Sequence, residues 1–477
     1  MKTWLTGVCF FLMACIRVEP DGNYPDPPSD TNGETDTDIH AWVTHPAANI
    51  LFQRNKQGIF FATDDGQEDV IRVDSAQRYQ SIDGFGNCLT GGSALLLNRM
   101  SQEKRQELLK ELFDPRGPGI GISYLRISIG ASDLSDRVYS YDDMPPGQTD
   151  PLMEHFSLDP DREHLIPVLK EILAICPDLK ILGSPWSAPV WMKTNQSSIG
   201  GSLRHEYFDA YARYFVRYIQ AMKEEGIIVD AITVQNEPLH PGNNPSMFMS
   251  AEDQAKFIRE NLGPAFEDAG ITTKIIIYDH NCDRPDYPIS VLSDPQTARY
   301  IDGSAFHLYG GTIDAMSTVH EAFPNKNLYF TEQWIGGPGD LATDLKWHVE
   351  NLIIGATRNW SRNVLEWNLA SDPNYDPHTE GGCDRCLGTV TINGDRVTRN
   401  PAYYILAHAA KFVRPGSVRI NSNLLNGLPN VAFQTPDGRK ALIVLNTSRE
   451  RMRFGIGFDG KLAWTELGAG AVGTYLW

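Results

Sequence analysis

Short apolar runs that end in polar or aromatic residues recur along the middle of the chain, with helical stretches between most of them. The runs are Ser81-Ile-Asp-Gly-Phe-Gly86, Tyr124-Leu-Arg-Ile-Ser128, Lys180-Ile-Leu-Gly183 and Ala231-Ile-Thr-Val234. They continue with Lys274-Ile-Ile-Ile-Tyr278, Gly303-Ser-Ala-Phe306, Leu328-Tyr-Phe-Thr331 and Asn363-Val-Leu-Glu-Trp367. Residues 101–112 begin with Ser101 as a serine cap and Glu103-Lys104, and residues 207–225 and 251–269 place apolar side chains at spacings of three and four. Strands alternating with helices predict a parallel sheet, and eight such units predict a closed (β/α)₈ barrel over residues 79–413.

The two ends follow another period. Residues 41–78 and 414–477 contain short alternating runs, such as Val70-Ile-Arg-Val73 and Lys440-Ala-Leu-Ile-Val-Leu445, separated by turn signals such as Pro436-Asp-Gly438. Both segments are expected to pack together as one β-sandwich attached to the barrel.

Lys2 and the apolar residues 5–14 read as a signal peptide, too short to span a bilayer comfortably. The stretch ends in Leu12-Met-Ala-Cys15, which resembles a bacterial lipobox and makes Cys15 the expected lipidation site. Residues 16–40, rich in Pro, Asp, Gly, Asn and Thr, read as a flexible tether. The expected product is an exported outer-membrane lipoprotein, at the cell surface or in the periplasm, touching the membrane only through its lipid. It is expected to act as a monomer.

Composition narrows the partner. With 41% hydrophobic and 21% charged residues the chain is an ordinary globular one, but its net charge of −18 repels phosphate backbones, which excludes a nucleic-acid partner. Seven cysteines are few; Cys88, Cys176 and Cys282 are dispersed. Cys383 and Cys386 sit together among glycines without a second ligand pair for zinc, so an exported location favours a loop disulfide between them.

In a barrel of this kind the carboxyl ends of the strands face the active site. Here those tips supply Asp133, Trp186, Asn236-Glu237, Asp279-His-Asn281, His307-Leu-Tyr309, Glu332-Gln-Trp334 and Trp367-Asn368. Carboxylates, amides and imidazoles bond sugar hydroxyls, and flat rings stack on sugar C–H faces. No phosphate-binding glycine loop, HExxH helix or Gly-x-Ser-x-Gly elbow accompanies them. Taken singly, each tip has a bland reading as turn, core or lid; a set that is polar-aromatic throughout is poorly explained by packing. Two carboxylates, Glu237 and Glu332, can cleave a glycosidic bond without metal or cofactor.

Five stretches resemble glycoside hydrolase family 30: Gly84-Phe-Gly86, Gly183-Ser-Pro-Trp-Ser-Ala-Pro-Val-Trp-Met-Lys-Thr-Asn195, Thr233-Val-Gln-Asn-Glu-Pro238, Phe306-His-Leu-Tyr309 and Trp367-Asn-Leu-Ala370. The resemblance implies a retaining glycosidase with Glu237 as acid/base and Glu332 as nucleophile. Asn236 would contact the sugar 2-hydroxyl. Asp133, Trp186 and Trp367 would hold the far side of the ring, and Trp334 would add to the substrate site. His307 and Tyr309 would line the site near the nucleophile, with Tyr309 positioning Glu332. Glu237 would begin the cycle protonated and is expected to have a raised pKa. The Cys383–Cys386 loop is more similar to the β-1,6-glucanase branch than to the glucosylceramidase pattern, which implies an endo-β-1,6-glucanase. The alternatives are a glucosylceramidase-like or exo-acting β-glucosidase and a non-catalytic glycan-binding protein.

Overall fold

The computed structural model describes residues 37–477. The segment read as a signal peptide, with Cys15, and residues 16–36 of the expected tether lie outside the described residues; residues 37–40, also expected as tether, are instead ordered, with Ile39 buried and hydrogen-bonded to Ile59 and His40 opening a strand.

Eight parallel strands close into a barrel: Gly84–Cys88, Tyr124–Ser128, Lys180–Ser184, Ala231–Thr233, Lys274–Cys282, Ile301–Gly311, Asn327–Glu332 and Ser361–Asn368. The last strand pairs with the first from Asn363↔Gly84 onward. Each strand contains or overlaps a run foreseen above. Side chains alternate across each strand, so every second residue faces the barrel interior. Tyr124, Leu182, Ala231, Ile276, Ala305, Tyr329 and Leu365 form one buried cluster, with one residue from each of seven strands. The alternate positions, among them Leu125, Ile181, Ile232, Ile275, Phe306, Phe330 and Val364, join the larger apolar layer shared with the helices. Alternation thus places one apolar layer inside the barrel and one between strands and helices.

Two residues further along each strand, the interior changes character. Arg126, Ser184, Thr233, His307, Thr331 and Trp367 occupy the same face as the apolar layer, one step closer to the carboxyl ends. Strand five is the exception. Tyr278 and Asp279 have positive φ of 73° and 60°, and the register slips between Ala305↔Tyr278 and Phe306↔His280. This bulge turns Tyr278 out into the apolar layer and puts Asp279 into the barrel.

The helices fall close to their expected spans. Residues 251–269 run as Ala251–Phe257, a π-turn over Ile258–Leu262, and Gly263–Asp268. Ser101 precedes helix Gln102–Phe113, but its side chain makes no capping bond; its backbone N–H donates instead to Asp395 Oδ1 at 2.7 Å.

Both chain ends meet in one ten-stranded assembly. Strand His40–His45 pairs with the last strand, Val472–Leu476, and Val70–Ser81 pairs with Val418–Ser422. Period two again sorts the faces: Leu442, Val444 and Tyr475 join the sandwich's own core, while Ala441, Ile443, Leu445 and Leu476 join the barrel's apolar layer. A three-stranded sheet of Ala370–Ser371, Val390–Asn393 and Arg396–Arg399 follows the last barrel strand and was not foreseen. Among the described residues no helix is long and apolar enough to cross a membrane.

Candidate active site

Arg126 is the centre of the charged layer. It is fully buried, and its guanidinium donates to Glu332 Oε2 at 2.5 Å, to Asn236 Oδ1 at 2.6 Å, to Asp279 Oδ2 at 2.8 Å and to Ser184 Oγ at 3.0 Å. Its carbon centre lies 4.7 Å from the ring of Trp186. A buried cation requires compensating charge and a full set of acceptors, and the tips of four other strands provide them.

Asp279 is the matching anion. Besides Arg126 it receives the hydroxyls of Thr233 at 2.7 Å and Thr331 at 2.6 Å, and its Oδ1 lies 3.1 Å from His307 Nε2. Burial raises its pKa, but Arg126 and His307 outweigh that and hold the carboxyl far below the usual range.

Glu237 and Glu332 converge on one imidazole. His307 Nδ1 lies 3.3 Å from Glu237 Oε1 and 4.0 Å from Glu332 Oε1. Glu332 ends strand seven, held by Arg126 on one oxygen and by the Tyr309 hydroxyl at 2.9 Å on the other. Glu237 follows the short fourth strand with a positive φ of 44°, and its N–H donates to the Asp279 carbonyl at 3.0 Å. A left-handed backbone at a residue with a side chain costs roughly 1–3 kcal/mol and persists where surrounding structure imposes it. Here it aims the carboxylate across the barrel mouth.

One cavity of about 420 Å³ is lined by Asp133, Trp186, Glu237, Tyr309, Glu332, Trp334 and Trp367, with Cys383 and Cys386 at its edge. Asn236 and His307 are buried and stand behind this lining, against Arg126 and Glu237 respectively. Trp186 and Trp367 stack with centroids 5.4 Å apart and floor the cavity. Cys383 and Cys386 are disulfide-bonded. Their loop is tied to three strand tips: Thr379 N–H donates to the Asp133 carbonyl, Asn244 Nδ2 to the Glu380 carbonyl, and Gly337 N–H to the Arg385 carbonyl.

The charges in this cavity are interdependent. Burial raises Asp133 to about 7, reinforced by the charges of Glu332 and Glu237. Burial lowers the His307 ring, but the negative charge of Glu332, Asp279 and Glu237 overrides it and raises the ring to about 9. Burial raises Glu332, against the lowering by His307 and Arg126. For Glu237 burial also raises, yet His280 and His307 beside it reverse the sign and hold the carboxyl low. That is opposite to the raised pKa expected from the sequence. The carboxylates on both sides of His307 favour a proton on the imidazole over one on Glu237.

Arg126 is absent from the strand tips named from the sequence, and Asp279 and His280 appear there only as members of the fifth tip, without individual roles. A charged residue inside the otherwise apolar run Tyr124-Leu-Arg-Ile-Ser128 was the available signal for Arg126, since it shares the inward face with Tyr124. Among the described residues, Glu237, His280 and His307 could together hold a metal ion, with ligand atoms all within 4.8 Å of one another.

Comparison with known proteins bears on this geometry. Residues 82–413 match the family model "Glycosyl hydrolase family 30 TIM-barrel domain", and residues 416–475 match "Glycosyl hydrolase family 30 beta sandwich domain". The chain is 37% identical over 438 residues to endo-1,6-beta-D-glucanase neg1 of Aspergillus fumigatus, covering 85% of this chain and 88% of that one. It is 28% identical to the lysosomal acid glucosylceramidase of Mus musculus, over 86% of this chain and 83% of that one. Among solved structures, the endo-beta1,6-glucanase BT3312 superposes with a TM-score of 0.86 at 35% identity, covering 93% of this chain and 99% of that one.

Proposed function

The chain belongs to glycosyl hydrolase family 30, and from that premise we propose that it is an endo-β-1,6-glucanase that cleaves β-glucan with retention of anomeric configuration. The observation that carries the reading is the pair Glu237 and Glu332, converging on the buried His307 Nδ1 behind a cavity that two stacked tryptophans also line. The relatives named as endo-1,6-glucanases, at 35% and 37% identity, support the linkage.

Glu332 is the nucleophile. Arg126 and the Tyr309 hydroxyl engage both of its oxygens, which fixes the carboxylate for attack on the anomeric carbon. Glu237 protonates the departing O6 and afterwards activates water to release the glycosyl group from Glu332. In the free enzyme the proton rests on His307, 3.3 Å from Glu237 Oε1. A glucose unit entering the cavity displaces water from Glu237 and favours its neutral form, so the proton moves to the carboxylate that will donate it. Once Glu332 is esterified its negative charge is gone, and Glu237 returns to the anionic form that a base requires.

Asp133, Trp186 and Trp367 hold the hydroxyls and face of the ring, and Trp334 closes the cavity on the side of the Cys383–Cys386 loop. Asn236 is oriented by Arg126 toward the sugar 2-hydroxyl. The lipobox and the tether support export, with Cys15 carrying the lipid that displays the enzyme toward a polymeric substrate. The 28% identity to a glucosylceramidase keeps a β-glucosidase reading in the test. Incubation with pustulan, an aryl β-glucoside and glucosylceramide separates them. A ladder of β-1,6 oligomers from pustulan is expected; glucose alone, or turnover of glucosylceramide only, contradicts the proposal.

A further inference from the structure

We propose that Glu237, His280 and His307 form a Zn²⁺ site whose occupation switches the enzyme off. The three side chains come from separate strand tips, yet their ligand atoms lie within 4.8 Å of one another. Glu237 Oε1 is 3.3 Å from His307 Nδ1 and 3.7 Å from His280 Nδ1. Zinc bonds of about 2.0–2.1 Å at tetrahedral angles separate neighbouring ligand atoms by roughly 3.3–3.4 Å. The two distances to Glu237 are close to that requirement, and the two imidazoles, whose ligand atoms lie within 4.8 Å of each other, close the remaining gap on binding.

Two further observations point to a metal rather than to a hydrogen-bonded cluster alone. His280 Nδ1 is buried and makes no hydrogen bond; it stands 3.7 Å from Glu237 Oε1, and the residue, 7% exposed, borders the cavity. A buried ring nitrogen without a hydrogen bond is uncommon and marks an unfilled bonding need. His307 is prepared from behind. Its Nε2 lies 3.1 Å from Asp279 Oδ1, the outer carboxylate–imidazole contact that orients a metal-binding histidine and strengthens it as a ligand. Two imidazoles and one carboxylate select zinc and its d-block neighbours over Mg²⁺ and Ca²⁺, which take oxygen donors. Glu237 and His280 both border the open cavity, which gives the ion its entry path.

A metal on Glu237 Oε1 stabilises the ionised carboxylate and so opposes the proton that Glu237 must hold for the leaving oxygen. The loss of activity therefore rests on the acid/base role proposed above, whereas the binding itself does not.

The test uses the full chain and Zn²⁺ alone, by equilibrium dialysis after chelator treatment, with pustulan hydrolysis followed in the same samples. One Zn²⁺ per chain is expected, with activity falling as the site fills and returning on addition of EDTA. His280→Gln is expected to weaken binding by at least roughly 10–100-fold, the loss that removing even an outer partner of a metal-bound histidine causes. Its zinc sensitivity, measured against its own metal-free rate, should fall by the same factor. Co²⁺ added to the unaltered protein gives an independent readout, a visible absorption band of a low-coordinate nitrogen-bound ion, and it holds even if the variant fails to fold. No saturable zinc binding, binding undiminished in His280→Gln, or a Co²⁺ spectrum of the hydrated octahedral ion each overturn the site. His280-dependent binding with unchanged activity overturns the switch and counts against Glu237 as the acid.

Discussion

Two neighbouring layers of the same barrel obey different rules. The lower layer, Tyr124, Leu182, Ala231, Ile276, Ala305, Tyr329 and Leu365, is apolar apart from its tyrosine hydroxyls and closes the barrel by packing. The upper layer, one alternation step along the strands, holds Arg126, Asp279 and His307 and supports Glu237 and Glu332. The first layer gains free energy by removing surface from water. The second gives up part of that gain, since buried charges are tolerated only when each has its partners. Strength and chemistry are therefore separated by a single two-residue step, and substitutions in the two layers should have different signatures.

The largest effect is expected from the upper layer. Glu332→Gln should reduce kcat on pustulan by about 10⁴-fold or more. Glu237→Gln should cost about 10²–10⁴-fold on pustulan, with much of the loss recovered on an aryl glucoside whose leaving group needs no proton. Steady-state kinetics on both substrates checks the pair; equal losses on both substrates for Glu237→Gln would remove its role as acid. Arg126→Met joins the two signatures. It leaves Asp279 and Glu332 buried without their cation, and denaturant titration should show a loss of about 3–5 kcal/mol together with a collapse of kcat.

Leu182→Ala tests the lower layer. Leu182 is fully buried, and the cavity left behind should cost about 2–5 kcal/mol by denaturant titration. Activity per folded molecule should stay within a few-fold of the unaltered enzyme. A loss of turnover without a loss of stability would show that the layers are not separable.

The smallest effect concerns pH. The His307 ring is raised from 6.5 to about 9, so the stability it contributes is complete below about 6.5 and is lost as pH rises through about 9. The alkaline limb of kcat/KM on pustulan should fall with an apparent pKa near that same value of about 9. A His307→Gln variant should lose that limb, and an unchanged limb would assign the proton to another group.

The lower layer was the more legible of the two. Its apolar runs carry a plain period of two, and each of the seven tips named from the sequence contributes to the lining of one cavity. What stayed hidden depends on backbone geometry or on partners distant in the chain. Asp279 faces inward only because Tyr278 and Asp279 take positive φ and shift the register, which no local pattern announces. Arg126 is a single charged residue inside an apolar run, and its acceptors lie 58 to 206 residues away in the chain. The inverted pKa of Glu237 follows from His280 and His307 beside it, and the sequence shows neither distance. The three-stranded sheet after the barrel is made of strands of two to four residues, too short for a period to register.

If Glu237 and Glu332 act on one glucosidic bond by double displacement, the anomeric form of the first oligosaccharides released from pustulan, followed by proton NMR before mutarotation, reveals it. The β-anomer should appear first and the α-anomer should grow in later. An α-anomer formed first would mean direct attack by water, and Glu332 would not be the nucleophile.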